Sequence, residues 1–197
     1  MCILFNMKKL IISDFFGVVG DEDSPVFFAK YVSKEKAHDL TAKYFHPGDR
    51  GEVTFEGIID NVSKDLMFDK NFLREEFLNT PKPKNEYINL LGKLKDEGHV
   101  VVLLSNACDF LVPYLIKKYG IQDLFDRTYI SSEIGHFKPN KDAFEYVLEK
   151  ENTDANDAMF IDDNPSNCKA AENVNIESII FKEDAKTLQA IYDLACK

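Results

Sequence analysis

Short apolar runs that each stop at a polar residue recur along this chain. Leu10-Ile11-Ile12-Ser13 stops at Asp14, Val100 to Leu104 at Ser105-Asn106, Ala158 to Ile161 at Asp162-Asp163, and Ile176 to Phe181 at Lys182. Runs of this length bounded by polar residues predict buried strands. Thr128-Tyr129-Ile130 before Ser131-Ser132 predicts a weaker fifth. Between the runs the apolar spacing turns helical. Asn85 to Glu97 places Tyr87, Leu91 and Leu94 on one face and ends at Gly98, and Phe110 to Tyr119 ends likewise at Gly120, the residue best suited to a helix C-terminus. Lys141 to Lys150 groups Phe144, Val147 and Leu148, and Pro165 to Asn173 has Asn164 as a natural N-cap with proline at the first helical position. Lys186 to Ala195 is the last such segment.

Strands alternating with helices predict βαβ units, and hence a parallel sheet covered on both faces: an α/β, Rossmann-like core. Ligands of such sheets sit beyond the carboxyl ends of the strands, so Asp14, Ser105 and Asp162-Asp163 are expected around one crevice. Residues 19–82 break the alternation. They show helical patterns only, over Lys34 to Tyr44, Phe55 to Leu66 and Phe72 to Leu78, before Pro81-Lys82-Pro83 returns the chain to the sheet. The expected organisation is a core of residues 1–18 and 83–197 with a small all-helical cap at 19–82.

Composition narrows the function. A chain of 197 residues accommodates one α/β core with an insertion, and 45% hydrophobic with 29% charged residues excludes a disordered class. A net charge of −10 without a basic cluster argues against a nucleic-acid partner. An acidic protein that handles phosphate must therefore concentrate its cations locally or borrow a metal. Cys2, Cys108, Cys168 and Cys196 are scattered with no C-x-x-C pair, which suggests neither a zinc site nor a disulfide framework and fits a reducing cytoplasm. No segment has the apolar length of a membrane span. Met7 could serve as an alternative start, leaving residues 1–6 dispensable.

Each candidate has an ordinary reading beside the chemical one. Asp14 at a strand end is a loop residue, a helix cap, or a nucleophile that the following Gly17 lets the chain turn away from. Ser105 is a cap or a ligand, and Lys138 in Gly135-His136-Phe137-Lys138-Pro139 is a solvated lysine or a local cation. Adjacent acids at Asp162-Asp163 cap the next helix, or share a divalent cation that relieves their repulsion. Taken together and in this order, the four elements resemble the motifs of the haloacid dehalogenase-like superfamily. The likeness extends to GHVVVLLSN, YISSEIGHFKPNKDAFEYVLE and MFIDDNPSNCKAAENVNIESII, and Arg50-Gly51-Glu52-Val53-Thr54-Phe55-Glu56 is similar to a cap segment of the subgroup containing sugar-1-phosphate phosphatases.

The resemblance implies a Mg²⁺-dependent phosphatase acting on a small phosphorylated metabolite, with a sugar 1-phosphate as the candidate the cap segment suggests, as a cytoplasmic monomer or homodimer. Asp14 would be the nucleophile. The metal ligands would be Asp14, the Phe16 backbone carbonyl and Asp163, with Asp162 inner or outer. Lys138, the Ser105 hydroxyl and the Asn106 amide would bind phosphate oxygens. One position departs from the pattern: where most such phosphatases place an acid/base aspartate, two residues after the nucleophile, this chain has Phe16. That predicts a preference for leaving groups that need no proton. Two rivals follow, a metal-independent 2-haloacid dehalogenase and a catalytically weak regulatory or binding protein. His46, Asp49, Arg50 and Glu52 are candidates for specificity, or simply a solvated loop.

Overall fold

Strands that are apolar without interruption are buried on both sides, and a parallel sheet sandwiched by helices provides that. The computed structural model describes residues 7–197, so the expectations for residues 1–6 and for Cys2 lie outside the described residues. Strands β1 (Leu10–Ser13), β2 (Val100–Ser105), β3 (Arg127–Ile130), β4 (Ala158–Asp162) and β5 (Glu177–Ile180) form one parallel sheet in the order β3-β2-β1-β4-β5. The alternate side chains of each strand serve different layers. Ile11, Val101, Leu103, Met159 and Ile161 pack with helices α6 (Asn85–Asp96), α7 (Leu111–Tyr119) and α11 (Ala185–Ala195). Leu10, Ile12, Val102, Leu104 and Phe160 pack on the other face with α9 (Lys141–Glu151) and α10 (Pro165–Glu172).

The helix starts follow from their caps. Asn164 accepts from the Ser166 N–H ahead of Pro165, and Asp184 accepts from the Thr187 N–H at 2.7 Å. Gly120, with φ of 70°, ends α7 in the left-handed conformation open to glycine. Among the described residues no helix is long and apolar enough to cross a membrane.

Between β1 and α6 the chain makes α1 (Ser24–Phe28), α2 (Lys34–Tyr44), α3 (His46–Asp49), α4 (Phe55–Leu66) and α5 (Lys70–Asn79). Ser33, Thr54 and Asp69 cap α2, α4 and α5. The inner faces meet in an aromatic cluster, with ring centroids 4.4 Å apart for Phe27 and Phe77 and 4.9 Å for Phe45 and Phe77. The outgoing and returning chains are tied together, Asp21 N–H to Lys82 carbonyl at 3.0 Å and Lys84 N–H to Val19 carbonyl at 2.9 Å. The helices are also pinned to the sheet domain. The Phe55 N–H donates to Asp109 Oδ1 at 2.9 Å, and Lys118 Nζ donates to the Leu78 carbonyl at 2.7 Å. The short helices α1, α3 and α8 (Ser131–Ile134) go beyond the sequence expectation. At four or five residues each, they are too short for a 3.6-residue period to register.

Candidate active site

The register of the sheet sets the first pair of acids side by side. Ser13 of β1 pairs with Ile161 of β4, so the next residues, Asp14 and Asp162, leave neighbouring strands together, and the Asp14 N–H donates to the Ile161 carbonyl at 2.9 Å. Lys138 lies between them. Its Nζ is 2.7 Å from Asp14 Oδ1 and 2.7 Å from Asp162 Oδ2, and its side chain is 1% exposed. Burial works against the ammonium charge, but Asp14 and then Asp162 more than offset it, holding its pKa above the ordinary lysine value. Asn106 positions this lysine. Its Nδ2 donates to the Lys138 carbonyl at 2.8 Å, and its Oδ1 accepts from the Lys138 N–H at 2.9 Å. The Asn106 side chain thus holds the backbone that carries Lys138, and Asn106 remains a lining residue of the cavity.

Asp162 is a fully buried hub. Besides Lys138 it accepts from the Asn164 N–H at 2.8 Å and from Asn167 Nδ2 at 2.9 Å. Asp163 is half-buried and leans against the loop after Asp14. A Cβ on Gly17, whose φ is 76°, would stand 2.4 Å from Asp163 Oδ2. Glycine is therefore required there for the backbone conformation and for the close approach of Asp163. Carboxylate oxygens of Asp14, Asp162 and Asp163 all lie within 4.8 Å of one another. Burial, and then the charge of Asp162, pushes the Asp14 carboxyl well above the usual range and raises Asp163. Three hard oxygen donors, destabilised as anions by their own proximity, suit a hard divalent cation such as Mg²⁺.

Asp14 and Asp163 line a cavity of about 210 Å³, with Phe16, Asn106 and Lys138 on the sheet side. The inserted segment contributes Glu22, Asp23, His46 and Asp49. Burial, then Asp23, raises the Glu22 carboxyl to about 8 and the Asp49 carboxyl to about 7. Burial, then Arg50, lowers His46. Arg50 lines an adjoining cavity with His46 and Asp49, while Glu52 is paired with it at the surface, Arg50 Nε to Glu52 Oε1 at 2.7 Å. Ser105 is fully buried at the end of β2, and its hydroxyl has no hydrogen-bond partner among the described residues.

The profile of haloacid dehalogenase-like hydrolases matches residues 11–181. The chain belongs to this family. It is 24% identical over 199 residues to a sesquiterpene phosphatase of Aspergillus oryzae, an alignment covering 98% of each chain. It is 36% identical over 151 residues to a drimenol cyclase of Aspergillus calidoustus, covering 77% of this chain but 26% of the cyclase. Among solved structures, a haloacid dehalogenase family enzyme of Bacteroides thetaiotaomicron in complex with magnesium and inorganic phosphate superposes with a TM-score of 0.75. It is 25% identical, over 91% of this chain and 98% of that one.

Of the residues singled out in the sequence, Asp14, Phe16, Asn106, Lys138 and Asp163 line one cavity and Asp162 is tied to it through Lys138, whereas Ser105 is buried behind it and is not a lining residue. Gly17, expected to let the chain turn after Asp14, also makes room for Asp163, while Glu22, Asp23 and Asn167 have no place in the sequence expectation. Asn167 had a visible signal. It stands three residues after the N-cap Asn164, in the first helical turn and within reach of the strand end. Glu22 and Asp23 had none, because only the docking of the insertion brings them to the cavity.

Proposed function

We propose that the protein is a magnesium-dependent phosphatase that hydrolyses a small phosphorylated metabolite through an aspartyl-phosphate on Asp14. The reading is carried by the lysine-bridged carboxylates Asp14 and Asp162 standing beside Asp163 at a cavity. A phosphate monoester entering that cavity meets Asp14, Glu22, Asp23, Asp49 and Asp163, with Lys138 as the buried cation among the lining residues. Mg²⁺, held by Asp14, Asp163 and the Phe16 carbonyl, would supply the positive charge that lets two anions approach. Asp162, whose oxygens are already engaged, fits the role of an outer anchor that holds Lys138 and the start of α10.

Asp14 attacks phosphorus opposite the leaving oxygen, the P–O bond breaks with its electron pair leaving on that oxygen, and an acyl phosphate forms. Water then attacks the same phosphorus, releasing inorganic phosphate and restoring the carboxylate. Lys138 neutralises Asp14 during the approach and faces the phosphoryl oxygens. The Ser105 hydroxyl, buried at the end of β2 without a partner, would reach one of them only once the substrate opens a path to it. Residues 19–82 act as the cap that closes over the substrate. The phosphatase from Aspergillus and the magnesium and phosphate bound by the Bacteroides enzyme support a phosphoester over a haloacid. So does the cluster of three carboxylates, which a metal-free dehalogenation would leave with Lys138 alone to balance them.

The test is release of inorganic phosphate from hexose 1-phosphates, polyol phosphates, a terpenyl phosphate and acyl phosphates, in magnesium and in excess chelator. Turnover in magnesium alone, lost in Asp14→Asn, is expected. Halide release from 2-haloacids in chelator would replace this reading with dehalogenation. Binding of these phosphates without turnover would replace it with a regulatory role.

A further inference from the structure

We infer that Asp49, presented by α3 of the inserted segment, donates the proton to the leaving oxygen; the inference rests on the phosphatase reading above. In-line displacement places the leaving oxygen on the side of phosphorus away from Asp14. The side chain that follows closest on the sheet side, Phe16, has no proton to give. A donor must come from the residues the insertion brings to the cavity, and the titratable ones are Glu22, Asp23, His46 and Asp49.

Three of the four are poorly suited. The Asp23 carboxylate caps α1 by accepting from the Ser24 N–H. His46 is exposed, and burial of its ring together with Arg50 lowers its pKa, so it is neutral near pH 7. The Glu22 proton is held by burial and Asp23, and then by the charges of Asp163 and Asp162, so a cation bound at Asp163 removes part of what holds it. Asp49 does not depend on those acids. Burial and Asp23 raise it to about 7, against Arg50 beside it in sequence and Lys138 across the cavity. The remaining group sensing it is Cys108, whose thiol burial pushes up to about 12, with Asp23 and Asp49 adding to the effect. A carboxyl that is half protonated near neutral pH is matched to giving and retaking one proton.

The backbone that carries it is also held at the cavity. Ser131 Oγ, on the sheet domain, donates to the Asp49 carbonyl at 2.6 Å, and the Asp49 N–H donates to the Phe45 carbonyl at 2.9 Å. Gly48 lets α3 seat closely, since a Cβ there would be 2.6 Å from Ile58 Cδ1 and 3.1 Å from Cys108 Cβ. The cycle balances. The Asp49 carboxyl protonates the leaving alkoxide as the P–O bond breaks, and the resulting carboxylate takes a proton from the water that attacks the aspartyl-phosphate.

The experiment compares kcat/KM for an alkyl phosphate and for 4-nitrophenyl phosphate, whose leaving group is stable without a proton. Both are measured in magnesium across pH for wild type, Asp14→Asn, Asp49→Asn, Asp49→Ser and Glu22→Gln. The Asp49 variants are expected to lose roughly 10²-fold or more on the alkyl ester relative to the aryl ester, and to lose the fall in rate on the basic side of neutrality. Equal losses on both esters, or an alkyl-selective loss in Glu22→Gln instead, would overturn the assignment. Magnesium-dependent wild-type turnover that vanishes in Asp14→Asn preserves the phosphatase reading in either case. A wild type that hydrolyses neither ester overturns both.

Discussion

Replacing Lys138 by methionine keeps the length of the side chain and removes its charge. The ammonium group holds two carboxylates at 2.7 Å each with 1% of its side chain exposed, so the variant leaves Asp14 and Asp162 facing each other with no cation between them. Breaking a buried ion pair from one side costs about 3–5 kcal/mol, which for a protein of this size lowers the unfolding temperature by about 6–20 °C. The sign of the pH dependence follows. Without Lys138 the Asp14 carboxyl, raised by burial and then by the charge of Asp162, binds a proton more tightly in the folded state than in the unfolded chain. The fold is then favoured below the unfolded carboxyl value of about 4 and loses that advantage as pH rises. The deficit should be largest near pH 8 and smaller near pH 5, and millimolar magnesium should recover part of it. Thermal unfolding followed by circular dichroism, with and without chelator at the two pH values, measures all three effects. A variant within about 2 °C of wild type in chelator near pH 8, or a deficit that grows toward acid, would refute the reasoning.

Four further outcomes are expected. Gly17→Ala should cost about 1–2 kcal/mol for an L-residue in the left-handed region and, by displacing Asp163, raise the magnesium concentration needed for half-maximal turnover; an unchanged requirement would count against the Gly17–Asp163 contact. Asp163→Ala should raise the magnesium requirement or abolish turnover with little loss of stability. Asp162→Asn should mainly lower the unfolding temperature, because Lys138 then loses a charged partner; magnesium titrations and melting curves on the same samples separate the two. In metal-free buffer the wild type should melt lower as pH rises from about 5 to about 8.5. Asp49 and Glu22, raised to about 7 and about 8, keep protons in the fold that the unfolded chain gives up near 4, so stability present at low pH is lost as these groups ionise. A rising or flat melting temperature over that range would contradict the assignment of those two carboxyls.

The centre of the sheet was readable because β1, β2 and β4 are apolar up to the polar residues that end them, a pattern that depends on local sequence alone. The parallel order followed from helices of regular spacing between them. Edge strand β5 is shorter than its apolar run, with Ile176 and Phe181 buried outside the paired segment Glu177–Ile180. At the site, Asp14 and Asp162 owe their adjacency to strand register, which a sequence can suggest only once the strand order is assumed. The partnership of Asn106 with Lys138, 32 residues apart, depends on how two loops meet. Asp49 and Glu22 reach the cavity through the docking of α1 and α3, helices whose four or five residues leave no periodic trace. Their raised carboxyls depend on burial that local pattern does not encode.

The central claim is that Asp14 becomes phosphorylated. Rapid mixing with a turned-over phosphate ester in magnesium, acid quenching within the first turnover and borohydride reduction convert an acyl phosphate to an alcohol that mass spectrometry locates. The account predicts reduction at Asp14 in the peptide spanning β1 and Gly17, absent when magnesium is chelated. Turnover with Asp14 unmodified throughout, or with the acyl phosphate on another residue, would contradict it.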